Sequence, residues 1–529
     1  MLTIKNLFEQ TVAKYPDRLA LVYEDQRWTY AQWSARVRSL AQAYRDLGIR
    51  PSDRVAIFLK TSEATATAYL ACQLIGAVAV PMNFRLAAGE AAYILRDSGA
   101  RALVYDASVQ ATVEKAVESV PALSLFIHAG SAMALPADGR HWSMEALIEA
   151  AVAASDESGA DAAGLGALGQ APQSDDISAL VYTSGTTGRP KGVIHTHAND
   201  VAIASNCIME YCLTRCDVAL HIAPLYHVGG MQAYFLPHLA VGAANVIQPR
   251  WDALQTLNMI ELHGVTTLFA VPTQIQDMLF HPRFGQINTR SLRLITTGGA
   301  AISSATMARV IAEFCPNIYN GYGMTEASLT LLLHPTDALS RLGSCGKPTL
   351  ISTCRVVRHA ADGAASPDEL AAAGEIGQLL VRGPQMTRGY WNNPAETGKK
   401  VREGWLYTGD LFSVDEAGYY HFHGRADDMI ISGGENIYPR EIEEVLYRCA
   451  GVQEAAVIGM PDPRWGQAVT AFVVRSDPNL TAADIDAYCK GHDDLAAYKR
   501  PRSVVFVDRL PVNPSGKVLR RELPALAGA

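Results

Sequence analysis

Charge is scarce in this chain, and what there is leans acidic. Only 19% of its 529 residues are charged, and 53 Asp and Glu against 45 Lys and Arg leave a net charge of −8. That balance excludes a protein whose whole surface coats nucleic acid or an anionic membrane. Paired cysteine is missing as well. The nine cysteines (72, 207, 212, 216, 315, 345, 354, 449 and 489) contain no C-x-x-C. The odd count argues against a disulfide framework and for a reduced compartment. Cys212 and Cys216 stand closest together, but no second cysteine pair completes a metal site. No long apolar run is present either. The most apolar stretch, 68–82, is interrupted by Gln73 and Pro81, falls short of the roughly 18 residues a membrane span needs, and reads as core. The opening MLTIKNLFEQ has no secretory pattern and the closing PALAGA no lipidation or retention address, so a cytoplasmic protein is expected. With 49% hydrophobic residues, 42 glycines and 26 prolines, disorder and collagen-like structure are excluded. The length suggests about three or four structural units.

Short β-rich apolar runs alternate with helical patterns over most of the chain, as expected of parallel sheets with crossover helices. Asp252 can cap a helix carrying Leu254, Leu257, Ile260 and Leu262, Gly264 can end it, and 265–270 reads as a strand. The next unit repeats the logic: a strand at 292–297, a turn at Gly298 and Gly299, and a helix over about 304–315. Residues 150–174 are rich in Ala and Gly and read as an exposed connection. Within them Gly164, Gly166 and Gly169 spell G-x-G-x-x-G, but the preceding SDESGADAA cannot be a buried strand, so no dinucleotide fold is inferred. From Asp410 a hairpin pattern begins (411–414 and 419–423), followed by the charged stretch GRADDMIISGGEN. The remainder reads as a small α+β domain: a helix from Pro439, strands near 454–459 and 468–475, a helix near 482–490 capped by Thr481, and a strand near 503–508. Residues 490–521 hold eight Lys or Arg against three Asp, a local excess of +5.

The strongest chemical signal is Thr183-Ser-Gly-Thr-Thr-Gly-Arg-Pro-Lys191, directly after the apolar run 177–182. Glycines free the backbone N–H groups to converge on a phosphate, and hydroxyls and a cation complete such a cradle. It is not the loop of P-loop NTPases, because the lysine follows Pro190 and no Ser or Thr follows it.

That segment resembles the phosphate loop of the adenylate-forming superfamily, which comprises acyl-CoA synthetases, carrier-loading adenylation domains and beetle luciferases. Further matches follow in order: Tyr322-Gly-Met-Thr-Glu326, Tyr407-Thr-Gly-Asp410, Gly424-Arg425-Ala-Asp427-Asp428 and Pro514-Ser-Gly-Lys517. The likeness spans essentially the whole chain. The blocks ISGGENIYPREIEEVL, PDPRWGQAVTAFVV and AAYKRPRSVVFVDRLP are similar to those of bacterial 4-chlorobenzoate-CoA ligases and feruloyl-CoA synthetases. The resemblance implies an α/β architecture: a large N-terminal AMP-binding domain (1–426) of αβα layers plus a β-barrel-like subdomain, and a mobile C-terminal domain (427–529) hinged at Asp427.

Each role below is what the resemblance implies. Thr183, Ser184, Gly185, Thr186, Thr187, Gly188 and Lys191 hold the β and γ phosphates of ATP, and Glu326 ligates Mg²⁺, a hard cation suited to carboxylate oxygen. On its own, Glu326 reads instead as a carboxylate at a helix N-terminus. Tyr322 stacks on adenine opposite Gly299, Ala300 and Ala301, with Gly323, Met324 and Thr325 beside it. Asp410 accepts both ribose hydroxyls, Arg425 assists, and Lys517 neutralises charge as the acid carboxylate attacks the α-phosphorus. His227 gates an acid pocket bounded by Phe269, Gly298, Gly321, Gly323, Ser328 and Asn206, a slot suited to a flat ring. Coenzyme A, the second substrate, is received by Gly433 and Gly434 along its pantetheine arm, by Trp465 at its nucleotide, and by Arg500 and Arg502 near its phosphates.

The expected activity is therefore an ATP-dependent carboxylic acid:CoA ligase acting on an aromatic acid of benzoate or hydroxycinnamate type. A medium-chain fatty acyl-CoA synthetase is the alternative. An amino-acid adenylation domain would place an Asp where this chain has LYHVGG, and a luciferase-like oxygenase would not need Trp465 and the Gly433-Gly434 pair. A non-catalytic binding protein would tolerate loss of Lys517, Glu326 or Asp410, and all three are present. The partners implied are small molecules, with a homodimer allowed and no nucleic acid.

Overall fold

Runs of β-branched and apolar residues separated by helical stretches build two large sheets, both mostly parallel, one with an antiparallel strand at a single edge and the other with antiparallel strands at both. The computed structural model describes residues 2–130, 136, 138–158, 171–183, 189–300, 302–358, 365–433, 435–492, 495–512 and 518–528. One sheet has seven strands in the spatial order His141–Ser143, Leu125–His128, Ala100–Tyr105, Arg54–Phe58, Val78–Pro81, Ile177–Thr183, Lys191–Thr196. The last two form the antiparallel hairpin that carries the phosphate-loop motif at its tip. The other sheet has nine strands, with Val218–His221, Thr267–Phe269, Leu294–Gly298 and Ile318–Met324 parallel at its centre and Ser328–Leu333 antiparallel beyond them.

Helices Tyr30–Asp46 and Glu63–Ile75 share one hydrophobic core with strands of both sheets. Trp33 anchors it, fully buried with its ring edge-on to Phe8 and Phe235 and its indole N–H donated to Thr67 Oγ1 at 2.9 Å. An indole buried without that acceptor would strand a donor, which is why a threonine sits there. The apolar stretch 68–82 is indeed core, as the end of this helix and the strand Val78–Pro81.

A third, antiparallel sheet holds Thr353–Arg358, Gly377–Arg382, Val401–Arg402, Trp405–Val414 and Tyr420–Arg425. It supplies the half-barrel of the large domain. A fourth sheet begins at Ile430 and, with helices Pro439–Tyr447 and Ala482–Lys490, makes the small C-terminal domain. The fold is the α/β class expected.

The helix expected after Asp252 runs Ala253–His263, with the Asp252 side chain capping it and Gly264 at φ +60 ending it. One reading changes. Residues 150–158, taken as part of an exposed connection, continue the helix Met144–Ser158, because an alanine-rich run favours helix even where few apolar groups are buried. The glycines at 164, 166 and 169 lie outside the described residues. No helix among the described residues is long and apolar enough to cross a membrane.

Candidate active site

The carboxyl ends of the central strands of the nine-stranded sheet open onto a cavity of about 690 Å³, the place where open α/β sheets receive ligands. Elements from all parts of the chain meet there. Thr183 and Lys191 come from the hairpin, Gly299 to Glu326 from the strand ends, Asp410 and Arg425 from the antiparallel sheet, and Val512, Val518 and Arg520 from the small domain.

Asp410 lies within the strand Trp405–Val414 and is buried. Its Oδ2 accepts a hydrogen bond from the Tyr322 hydroxyl at 2.5 Å. Burial, reinforced by that carboxylate, pushes the Tyr322 phenol far up, so it remains a donor. Oδ1 is 3.7 Å from Arg425 Nε, and among the described residues neither atom has a hydrogen-bond partner. A buried carboxylate oxygen and guanidinium N–H left open side by side in a cavity suit a ligand with vicinal hydroxyls, which can donate to one and accept from the other. This is the fit a ribose requires.

Glu326 sits in the turn between strands Ile318–Met324 and Ser328–Leu333. The alternative reading as a helix N-terminal carboxylate is thereby removed. Its Oε1 accepts from the Tyr390 hydroxyl at 2.7 Å, while Oε2 has no partner among the described residues. No cluster of three or more metal-binding side chains occurs among the described residues. One carboxylate facing a phosphate site is what Mg²⁺ uses when phosphate oxygens and waters complete its shell.

Lys191 lines the cavity, but its Nζ is 2.6 Å from Glu396 Oε1, both groups largely buried. Thr183, Gly299, Ala300, Tyr322, Gly323, Met324, Thr325 and Asp427 also line it. Ser184, Gly185, Thr186, Thr187, Gly188, Ala301 and Lys517 lie outside the described residues. The residues flanking 513–517, Val512 and Val518, pair as a β-bridge and face the cavity.

A second cavity of about 110 Å³ joins the first, sharing His227, Gly299, Gly321, Gly323 and Met324 with it. Its floor is bare backbone. Gly298 and Gly321 are register partners on adjacent strands, and a Cβ on Gly298 would stand 2.5 Å from the Gly321 carbonyl oxygen. Phe269 forms a wall, backed by the Tyr234 ring at 5.9 Å. Burial pulls the His227 imidazole down to about 4. Its Nδ1 accepts from the Gly229 N–H at 3.3 Å, so the proton of the neutral ring is assigned to Nε2. Ser328 also lines this cavity, but Asn206 does not: it lies on helix His197–Glu210 with neither amide atom partnered.

Of the residues expected to receive coenzyme A, the described ones, Gly433, Trp465, Arg500 and Arg502, line neither cavity. Gly433 has φ +62, where a Cβ would meet Trp465 at 2.9 Å, and its N–H donates to the Trp465 carbonyl at 2.8 Å. Arg464 and Arg502 flank the Trp465 ring at 4.6 and 5.5 Å. Arg500 pairs with Asp486 at 3.0 Å, and Gly434 lies outside the described residues. The basic excess of 490–521 is largely matched in space: Lys499 pairs with Glu441, and Arg520 with Glu443 at 2.7 Å.

Several residues at the large cavity carry no local sequence signal. Tyr390, Glu396 and Lys400 face it from the segment after the antiparallel sheet turns, where only the Lys399-Lys400 pair hints at an anion site. Behind the Glu326 turn, His195 Nε2 contacts the Thr325 carbonyl at 3.0 Å and Nδ1 contacts Asp200 at 3.1 Å, with Ser178 Oγ donating to Asp200 at 2.6 Å. This buried chain ties the strand Ile177–Thr183 to the turn that carries Glu326.

The AMP-binding enzyme family model matches residues 8–391, and that of the AMP-binding enzyme C-terminal domain matches 441–517. A feruloyl-CoA synthase of Amycolatopsis sp is 38% identical over 497 residues, covering 94% of this chain and 93% of that protein. The long-chain-fatty-acid–CoA ligase FadD13 of Mycobacterium tuberculosis is 34% identical over 503 residues, with the same coverage of 94% and 93%. The crystal structure of the anthranilate CoA ligase AuaEII in complex with anthranoyl-AMP superposes with a TM-score of 0.89 at 29% identity, covering 100% of this chain and 97% of that one.

Proposed function

The chain belongs to the AMP-binding enzyme family of adenylate-forming acid–CoA ligases, and from that premise we propose that it activates an aromatic carboxylic acid. The reaction class is an AMP-forming acid–CoA ligation through an acyl-adenylate. The observation that carries the aromatic reading is the small cavity, about 110 Å³, floored by paired glycines and walled by Phe269. A cavity on the order of 150 Å³ accepts a benzene ring, whereas a medium or long alkyl chain needs a tunnel.

In the first step a carboxylate oxygen at the His227 mouth attacks the α-phosphorus and pyrophosphate leaves. Asp410 and Arg425 hold the ribose, Tyr322 the adenine, and the loop of Thr183 to Lys191 the β and γ phosphates. A triphosphate entering there competes with Glu396 for Lys191. Mg²⁺ held by Glu326 would supply charge neutralisation on the phosphates. Lys517 approaches with the small domain, whose neighbouring Val518 already faces the cavity, and stabilises the charge at the transition state. In the second step the coenzyme A thiolate attacks the adenylate carbonyl and AMP leaves. Gly433, Trp465, Arg500 and Arg502 stand outside the cavities in this arrangement, so receiving coenzyme A there, with Gly434 beside Gly433 in sequence, calls for the domain of 427–529 to turn about Asp427 on that of 1–426.

The test is coenzyme A-dependent AMP formation with matched benzoates, cinnamates and short- and medium-chain fatty acids. The aromatic acids are expected to give the highest kcat/KM. Fatty acids outperforming every aromatic acid would overturn the reading and favour the fatty acyl alternative, to which FadD13 is the corresponding relative.

A further inference from the structure

Two hydroxyls at the small cavity have nothing to bond. Thr297 Oγ1 and Ser328 Oγ are both buried, on residues 2% and 3% exposed, and neither has a hydrogen-bond partner among the described residues. Leaving a buried hydroxyl unsatisfied costs about 1–3 kcal/mol. Neighbouring hydroxyls avoid that cost: the Tyr234 hydroxyl donates to Thr267 Oγ1 at 3.0 Å, and Thr330 Oγ1 donates to the Ser328 carbonyl at 3.2 Å. Ser328 is also held at φ +48, a left-handed conformation that a serine adopts at a cost and that gathers at ligand sites.

Their position is informative. His227, Gly299, Gly321, Gly323 and Met324 border both cavities and so mark the mouth where the carboxylate must meet ATP. Thr297 and Ser328 border only the small cavity. Thr297 precedes Gly298 and Gly299 on the strand running toward that mouth, so it stands deeper.

Resting on the aromatic-acid reading above, we propose that Thr297 and Ser328 form a polar subsite for a ring substituent remote from the carboxylate. The acid selected is a single-ring or short-spaced aryl acid bearing a hydroxyl or amino group at the meta or para position. A hydroxyl both donates and accepts, so either group can satisfy the pair. An acid lacking the substituent leaves both hydroxyls unpaired while removing them from any water, which is how such sites discriminate.

The experiment compares kcat/KM for unsubstituted, meta- and para-hydroxy, para-amino and para-methyl versions of whichever aryl acid frame the panel finds active. Wild type is expected to favour the best hydroxy or amino acid over the unsubstituted and methyl acids by about 10- to 100-fold. In the double variant Thr297→Val, Ser328→Ala that preference should shrink to within about threefold, with the methyl acid gaining. Thr297→Ser keeps the hydroxyl and should keep the preference. Removing orphan hydroxyls should leave the urea midpoint unchanged or higher, whereas a structural role for them would lower it. A wild type indifferent to the substituent, or a preference that survives the double variant, would overturn the subsite while leaving the aromatic reading standing. Inert aromatic acids beside active fatty acids would overturn the aromatic reading itself.

Discussion

Replacing Asp410 by Asn keeps size and shape and removes one charge from the proposed ribose cradle. Tyr322 can still donate to the amide oxygen, so the 2.5 Å contact has a successor. What changes is the open Oδ1, the atom without a protein partner. With the amide oxygen taken by Tyr322, the open position holds Nδ2, which donates, so a ribose hydroxyl can meet it only by turning to accept, a neutral bond of about 0.5–1.5 kcal/mol in place of about 1.5–3 to the carboxylate. Two ribose hydroxyls therefore lose about 2 kcal/mol together, roughly 30-fold in kcat/KM for ATP at about 1.4 kcal/mol per decade. The assay is initial-rate pyrophosphate release, with ATP and 2′-deoxy-ATP each titrated on both proteins. Wild type should lose about 10-fold or more on deletion of the 2′-hydroxyl, and the variant about fivefold less than wild type does, because the deleted bond is already weak. A 2′-deoxy penalty that is the same in both proteins, or a variant impaired in the acid KM instead of the ATP KM, would refute the assignment. A urea midpoint on the variant serves as the control, since loss of fold would depress both nucleotides equally.

Two further outcomes are expected. Lys517→Ala should abolish adenylate formation while thioester formation from supplied acyl-adenylate stays within about threefold of wild type, since its charge is needed only at the phosphorus; equal loss of both steps in stopped assays would dispose of that role. Burial pulls His221 down to about 3 and His227 and His238 to about 4, so each contributes stability that is full above the unfolded value near 6.5 and is lost as pH falls toward 4, at up to about 1.4 kcal/mol per pH unit. Asp277 and Glu454, whose carboxyls burial raises, act in the opposite sense, and the readout is therefore the difference between wild type and His221→Phe, whose urea stability should fall less steeply between pH 6.5 and 5 by about 2 kcal/mol.

The sequence was most legible where chemistry is local. Thr183 and Lys191 at the ends of the phosphate-loop motif, the Tyr322 to Glu326 run, and Thr408 and Asp410 are set by short local segments, and all of them line the large cavity. Helix limits set by a cap and a glycine were legible too, as at Asp252 and Gly264. What escaped was set by pairing between distant segments. Nothing near Glu396 announces that it will meet Lys191 across 205 positions, and no pattern in 195–200 reveals that His195 reaches the Thr325 carbonyl. Asn206 failed as a pocket residue for the same reason: helical spacing gives its face, but which face meets the cavity depends on how His197–Glu210 packs against strand Ser328–Leu333. The basic run at 490–521 misled by omission, since Asp486, Glu441 and Glu443, which pair with it, lie earlier in the chain.

On the proposed mechanism the charge for the first step comes from the small domain, and the mouth between the two cavities bears on that division. His227 stands there, but burial keeps its ring neutral at ordinary pH, and the Gly229 N–H occupies Nδ1, so it offers a donor without a positive charge. A donor of that kind orients a carboxylate and leaves its nucleophilicity intact, whereas a fixed cation in so dry a place would bind the ground state tightly and raise the barrier. Lys191 is paired with Glu396 and Arg425 faces Asp410, so neither is an uncompensated charge at the mouth. On the proposed mechanism the cation that meets the developing phosphorane is Lys517, next to the cavity-lining Val518, and it acts only while the small domain is docked. Turning that domain to admit coenzyme A withdraws the same charge, which leaves the acyl-adenylate facing a neutral His227 and disfavours return of pyrophosphate attack.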